Sequence, residues 1–147
     1  MGEVWRGEQP DHGVPVAIKL ITTHQARDQR AVRAFRNEVR AMAGLDHPRI
    51  AEVFGFGDVS DQAAEASGGR LVSGSPYLVL EYLGAGSLDT IGETRTWPEV
   101  LSILLALLDA LAHAHSRGLV HRDLKPANIL FAGEENRHPG MRLTDFG

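Results

Sequence analysis

His121-Arg122-Asp123-Leu124-Lys125-Pro126-Ala127-Asn128 places an acid, a fixed cation and an amide at short intervals along one stretch of chain. Asp123 can take or orient the proton of an attacking hydroxyl. Lys125 can neutralise charge on a phosphate in transit, and Asn128 can offer its carbonyl oxygen to a magnesium ion. A polar turn whose groups are satisfied by nearby backbone is the plainer alternative, but it does not need these three groups in this order.

Working outward, residues 129–132 and 141–144 read as two short strands around a polar turn containing His138-Pro139-Gly140. Upstream, Thr96-Trp97-Pro98-Glu99 has the form of a capping box with a proline tolerable in the first turn. The helix it opens runs to about Ser116 and stops before Gly118. Apolar residues lie nearly all round it, so it requires burial on several sides. Its longest apolar run, 100–108, is about nine residues, against the roughly 20 of a membrane span, and reads as a core helix.

In the first half, residues 14–21, 50–59 and 77–82 read as strands and 26–43 as a helix. On that helix Val32, Phe35, Val39 and Met42 form one stripe, and Arg30, Arg33, Arg36 and Arg40 form the opposite, solvated face. Glu38 sits at the edge of the apolar stripe, where a carboxylate can point inward. The stretch 60–76, rich in Ser, Gly and Ala, reads as a flexible excursion. Gly84 and Gly86 break the pattern, which divides the chain into a strand-rich part, 1–83, and a helical part, 84–147. The order of elements is a five-stranded sheet with one helix, followed by a helical region with a small hairpin.

The chain has 147 residues, 43% hydrophobic and 23% charged, the balance of a globular protein. A net charge of -4 gives no electrostatic reason to expect nucleic acid or an anionic membrane as partner. There is no cysteine, which removes disulfides, thiolate catalysis and cysteine-built zinc sites. The first residues lack the apolar core of a secretory signal, and a cytoplasmic setting is expected. His113 and His115, two apart on a helix, diverge and cannot share a metal.

The loop at 121–128 resembles the catalytic loop of protein kinases, and Lys125 two residues after Asp123 looks like the serine/threonine branch. Val16-Ala17-Ile18-Lys19 resembles the strand whose lysine holds the α- and β-phosphates of ATP, and Glu38 its ion-pair partner on the following helix. A carboxylate beside a lysine in a partly dry cleft favours the charged form, which gives that pair a chemical reason. Asp145-Phe146-Gly147 resembles the magnesium-binding triplet of the same family. Gly2-Glu3-Val4 looks like the end of its glycine-rich loop, and Glu81-Tyr82-Leu83 like the hinge between lobes.

By this resemblance the fold is α+β and protein-kinase-like in two lobes: an N-terminal antiparallel sheet with one helix, and an incomplete helical C-terminal lobe. The implied ligands are ATP, Mg2+ and a protein substrate. Asp123 and Lys125 serve catalysis with Lys19 and Glu38, while Asn128 and Asp145 hold metal. Gly2, Val4, Ala17, Leu80, Glu81, Leu83 and Leu130, with Lys19, surround the nucleotide, and Arg122 docks an activation-loop phosphate. The resemblance ends at the Asp-Phe-Gly triplet, short of the family's activation segment and substrate-binding helices. Poor solubility or dependence on a partner is therefore expected of the chain alone. An ATP-binding or regulatory module without turnover, and the product of a truncated reading frame, stay open as alternatives.

Overall fold

The computed structural model describes residues 3–10, 13–91, 95–133 and 136–146. They fall into two units: Met1–Gly44 with Val53–Tyr82, and Leu45–Glu52 with Leu83–Gly147. The sequence places one boundary after Leu83. In the structure the units part between Tyr82 and Leu83, and 45–52 joins the second.

In the first unit the β-branched Val16 and Ile18 lie in a strand that pairs on both sides. Glu3–Glu8 (β1), Pro15–Leu20 (β2), Val53–Asp58 (β3) and Pro76–Glu81 (β4) form an antiparallel sheet in the order β1-β2-β4-β3. Among the described residues the sheet thus has four strands, not five. β1 escaped the sequence reading because Glu3, Arg6, Gly7 and Glu8 dilute its β-prone residues, and pairing with β2 supplies what its composition lacks.

The helix expected at 26–43 divides in two. Thr22 and Gln25 form a capping box around a single turn, Thr23–Ala26 (α1), and Asp28 accepts a hydrogen bond from the Arg30 backbone at 2.8 Å to start Gln29–Ala43 (α2). Phe35, Val39 and Met42 are buried as the periodicity requires, and α2 packs against β3 and β4. Burial of each of those side chains stabilises the unit by about 1.5–3 kcal/mol, an upper figure. The connection after β3 is not a plain excursion. Ser60 caps a short helix, Asp61–Ala66 (α3), and backbone bonds between Val59 and Ser75 and between Gly74 and Val59 close the loop.

The second unit is built on Trp97–Ser116 (α4) and a hairpin of Ile129–Ala132 (β5) and Gly140–Leu143 (β6). Glu99 accepts from the Thr96 backbone at 2.7 Å, and Gly118 leaves the helix at φ 74°, where a side chain would be strained. Only Ala110 and Ala114 of α4 are buried, so it is not a core helix in this chain, and much of the apolar surface that calls for burial faces outward, as expected where the family's following helices are not in this sequence. By length and composition alone α4 is apolar enough to cross a membrane, which carries no membrane assignment by itself.

The expected strand at 50–59 is also shorter, because Ile50 and Ala51 pair elsewhere. Ala51 N–H bonds the Leu143 carbonyl at 2.9 Å, and Leu143 N–H bonds that of Arg49 at 2.8 Å, which pins 45–52 alongside β6.

Candidate active site

Strand register gathers several residues of the first unit that the sequence leads one to expect around a nucleotide. Val4 pairs with Lys19 and Ala17 with Leu80, and paired residues share a sheet face, so these four side chains lie on one side of the sheet. On that side Lys19 Nζ donates to Glu38 Oε1 at 2.6 Å, with side-chain exposures of 13% and 17%. Half-burial strengthens the attraction relative to a surface pair, since fewer waters screen it. Glu81, the last residue of β4, is buried and paired with Val16 on the opposite face. Gly2 lies outside the described residues, as does Gly147.

In the second unit a short 3-10 turn, Pro126–Asn128, folds the loop back on itself. Lys125 Nζ donates to Asp123 Oδ2 at 2.7 Å, and Asn128 Nδ2 donates to the same oxygen at 3.2 Å and to the Asp123 carbonyl at 2.8 Å. These donors, the Lys125 bond foremost, hold the exposed Asp123 carboxyl below its usual range. Asn128 is only 4% exposed. With its nitrogen committed to Asp123, its carbonyl oxygen is the atom turned to other partners.

The Thr144 N–H bonds the Asn128 carbonyl at 3.0 Å, which brings Asp145 next to the Asn128 main chain. Asp145 has φ 59° and Arg122 φ 63°, left-handed values that cost of order 1–3 kcal/mol each in a residue with a side chain. Their surroundings over-determine both. His121, 2% exposed, donates Nε2–H to the Thr144 carbonyl at 2.9 Å and packs its ring 4.7 Å from that of Phe146, itself fully buried. Burial holds His121 below the usual histidine range, and a neutral ring on a carbonyl acceptor is a spacer and not a base.

Two hard oxygen donors, Asn128 Oδ1 and the Asp145 carboxylate, suit Mg2+ with phosphate oxygens completing its shell. Among the described residues no cluster of three or more His, Cys, Asp or Glu could hold a metal without such help. Leu83 and Leu130 are both half-buried in the second unit, and Leu130 sits in β5, bridged to Ser87.

Sequence reading passed over Arg142. It is 1% exposed in β6 and donates to the carbonyls of Pro48, His138 and Met141, tying 45–52 to the hairpin. An arginine between Met141 and Leu143 in a short apolar strand was the available signal.

Half of a protein kinase domain is what these elements amount to, and the chain belongs to that family: the protein kinase domain model matches residues 1–147. Curated relatives include proteins named serine/threonine-protein kinases. The chain is 34% identical over its whole length to Pkn1 of Myxococcus xanthus and covers 20% of that protein. It is 38% identical over 99% of its length to PkaB of Streptomyces coelicolor, covering 33%. Among solved structures, the PknI kinase domain of Mycobacterium tuberculosis matches 99% of the chain with TM-score 0.73 and 30% identity, the chain covering 54% of it. Rad53 in complex with AMP-PNP matches with TM-score 0.74 and 26% identity, 34% of it being covered. The chain is thus a protein kinase domain sequence by family, and it spans a fifth to a third of these curated relatives.

Proposed function

We propose that the chain supplies the nucleotide-binding and catalytic-loop residues of an enzyme that transfers the γ-phosphoryl group of ATP to a serine or threonine hydroxyl of a protein. The network of Asp123, Lys125 and Asn128 carries this reading, because it fixes a low-pKa carboxylate beside a cation and an amide whose nitrogen bonds that carboxylate.

Asp123 orients the hydroxyl and receives its proton, and Lys125 offsets charge on the moving phosphoryl group. Lys19, aimed by Glu38, holds the α- and β-phosphates, while Asn128 and Asp145 hold Mg2+. Held by Asn128 and Asp145, Mg2+ would supply charge neutralisation at the phosphate oxygens. Val4, Ala17 and Leu80 give the adenine an apolar wall. The main-chain groups of Glu81 and Leu83 bond its edge, and Leu130 packs on its ring as part of the same proposal. A cytoplasmic setting, where ATP is abundant, belongs to it too.

The test is transfer of labelled phosphate from ATP to a mixed Ser/Thr peptide pool, with ATP-dependent thermal stabilisation measured in parallel. Loss of transfer in Asp123→Asn with stabilisation retained supports the assignment. Undiminished transfer in Asp123→Asn removes Asp123 from its role. Stabilisation by ATP without transfer in the unaltered full-length protein would leave a regulatory nucleotide-binding module.

A further inference from the structure

The flank of α4 holds a cavity of about 520 Å³, within the size range of small-molecule sites and lying wholly in the second unit. One wall is Ser102, Leu105, Ala106 and Asp109, which stand at i, i+3, i+4 and i+7 and so share a helix face. The facing wall is Phe131 and Met141, a cross-strand pair of the hairpin. No residue of the catalytic loop lines it.

Arg49 closes a third side. Its backbone is fixed, since its N–H bonds His47 Nδ1 at 3.2 Å and its carbonyl takes the Leu143 N–H at 2.8 Å. Its side chain runs along Gly140, another lining residue, with Nη1 2.9 Å from where a Cβ would stand. A side chain at 140 would displace the guanidinium, which glycine leaves in place at the cavity. Among the described residues that guanidinium has no hydrogen-bond or ion-pair partner.

The carboxylate on the wall is not in the same condition. With His47 Nδ1 accepting from Arg49, Nε2 carries the ring hydrogen and donates to Asp109 Oδ2 at 3.3 Å. Asp109 thus has a donor, while Arg49 lacks an acceptor. Arg95 is the second observation. Its guanidinium lies 5.4 Å from the centre of the Phe131 ring, and its Nη2 is buried with no hydrogen-bond partner. Glu99, the acid nearest to it in sequence, is spent on the N–H and hydroxyl of Thr96. Two guanidinium groups without anions, one on the wall and one against the ring that forms the wall, give this cavity a preference for negative charge.

We propose that the cavity binds a small amphipathic anion, with an aromatic body between Phe131 and the α4 wall and a carboxylate on Arg49 in the two-pronged geometry that guanidinium and carboxylate share. Leu105, 58% exposed at the wall, gains cover from the same ligand.

Indole-3-acetate, tryptamine and 3-methylindole share one ring and differ in charge. Each is titrated into the full chain while the methyl NMR signals of Ile103, Ala106 and Met141 are followed. The acetate is expected to shift these signals with a Kd of about 0.1–1 mM, and the other two to bind about tenfold more weakly or not at all. Arg49→Gln keeps both backbone bonds and should weaken the acetate about tenfold while leaving 3-methylindole unaffected. Ser102→Trp, at an exposed helix position, covers the mouth and should abolish the shifts, and it locates the binding if Arg49→Gln fails to fold. No shift with the acetate, equal or tighter binding of tryptamine or 3-methylindole, or acetate binding unaltered by either substitution overturns the proposal.

Discussion

Asn128 bonds Asp123 twice through one nitrogen, to the main-chain oxygen at 2.8 Å and to the carboxylate at 3.2 Å. The amide proposed to offer its oxygen to metal therefore also sets where the Asp123 carboxylate stands. A buried amide with two acceptors on one side has no freedom to flip without leaving both unpaired. In the proposed mechanism this side chain would couple metal binding to proton acceptance.

Asn128→Ala is accordingly expected to do more than raise the Mg2+ requirement. At saturating Mg2+ the full-length enzyme should keep a kcat defect of about tenfold or more, because Asp123 has lost its tether, and Asp123→Asn should cost about 10²–10⁴. Phosphate-transfer rates across a Mg2+ titration decide it. Full recovery of Asn128→Ala at high Mg2+ would show the tether to be irrelevant.

The Lys19 and Glu38 pair predicts coupled losses. Lys19→Met and Glu38→Gln should each remove most of the ATP-dependent rise in melting temperature. The double variant should lose less stability than the sum of the two, by about 0.5–3 kcal/mol. Additive effects would mean the 2.6 Å contact contributes nothing as a pair.

Much of this was legible in sequence where a local rule and a chemical need coincide. The capping box at Thr96, the stripe of Phe35, Val39 and Met42, the hairpin at 129–143 and the order of the catalytic groups all follow from short-range pattern. What was hidden depends on partners far along the chain. Ile50 looks like the start of β3, yet its backbone pairs with β6 more than 90 residues away, and no periodicity records that. β1 and α3 were hidden for a similar reason: charged or small residues form them because a neighbouring strand or a capping serine completes their hydrogen bonds.

Burial of His121 sets a pH dependence. Its native pKa lies below the unfolded value of about 6.5, so the unfolded chain binds more protons in that window. Its contribution is complete above about pH 6.5 and is lost as pH falls from there toward the native value. His113 acts with the same sign, lowered by burial first and then by Arg117 and His47, against Asp46 and Asp109. The imidazole proton shift of His121 should titrate below pH 6.5. A midpoint at or above that pH would contradict the burial argument. Asp123, depressed by Lys125, behaves oppositely to a switch in this range: it stays ionised throughout and loses its contribution only below the usual carboxylate pKa of about 3.9.

Arg142→Leu removes the donor to three carbonyls in a site with 1% exposure. The stranded acceptors, those of Pro48 and His138 above all, make a loss of about 1–3 kcal/mol for each unpaired carbonyl the expected result, read from urea unfolding of the second unit. A loss under about 1 kcal/mol would mean that water replaces the guanidinium at no cost, and that the link from 45–52 to the hairpin rests on the backbone bonds alone.

The apolar face of α4 makes the last prediction. Leu105 and Leu108 are 58% and 61% exposed, and Trp97, Leu101 and Leu104 extend the same surface. A contiguous apolar patch of this kind drives association, since each leucine withdrawn from water contributes about 1.5–3 kcal/mol at full burial. The chain by itself should therefore self-associate in a sedimentation run, and Leu105→Lys with Leu108→Glu should return it to a monomer without lowering its unfolding temperature, because neither side chain is buried. Monomeric behaviour of the unaltered chain at micromolar concentration would show that this face is tolerated in water as it stands.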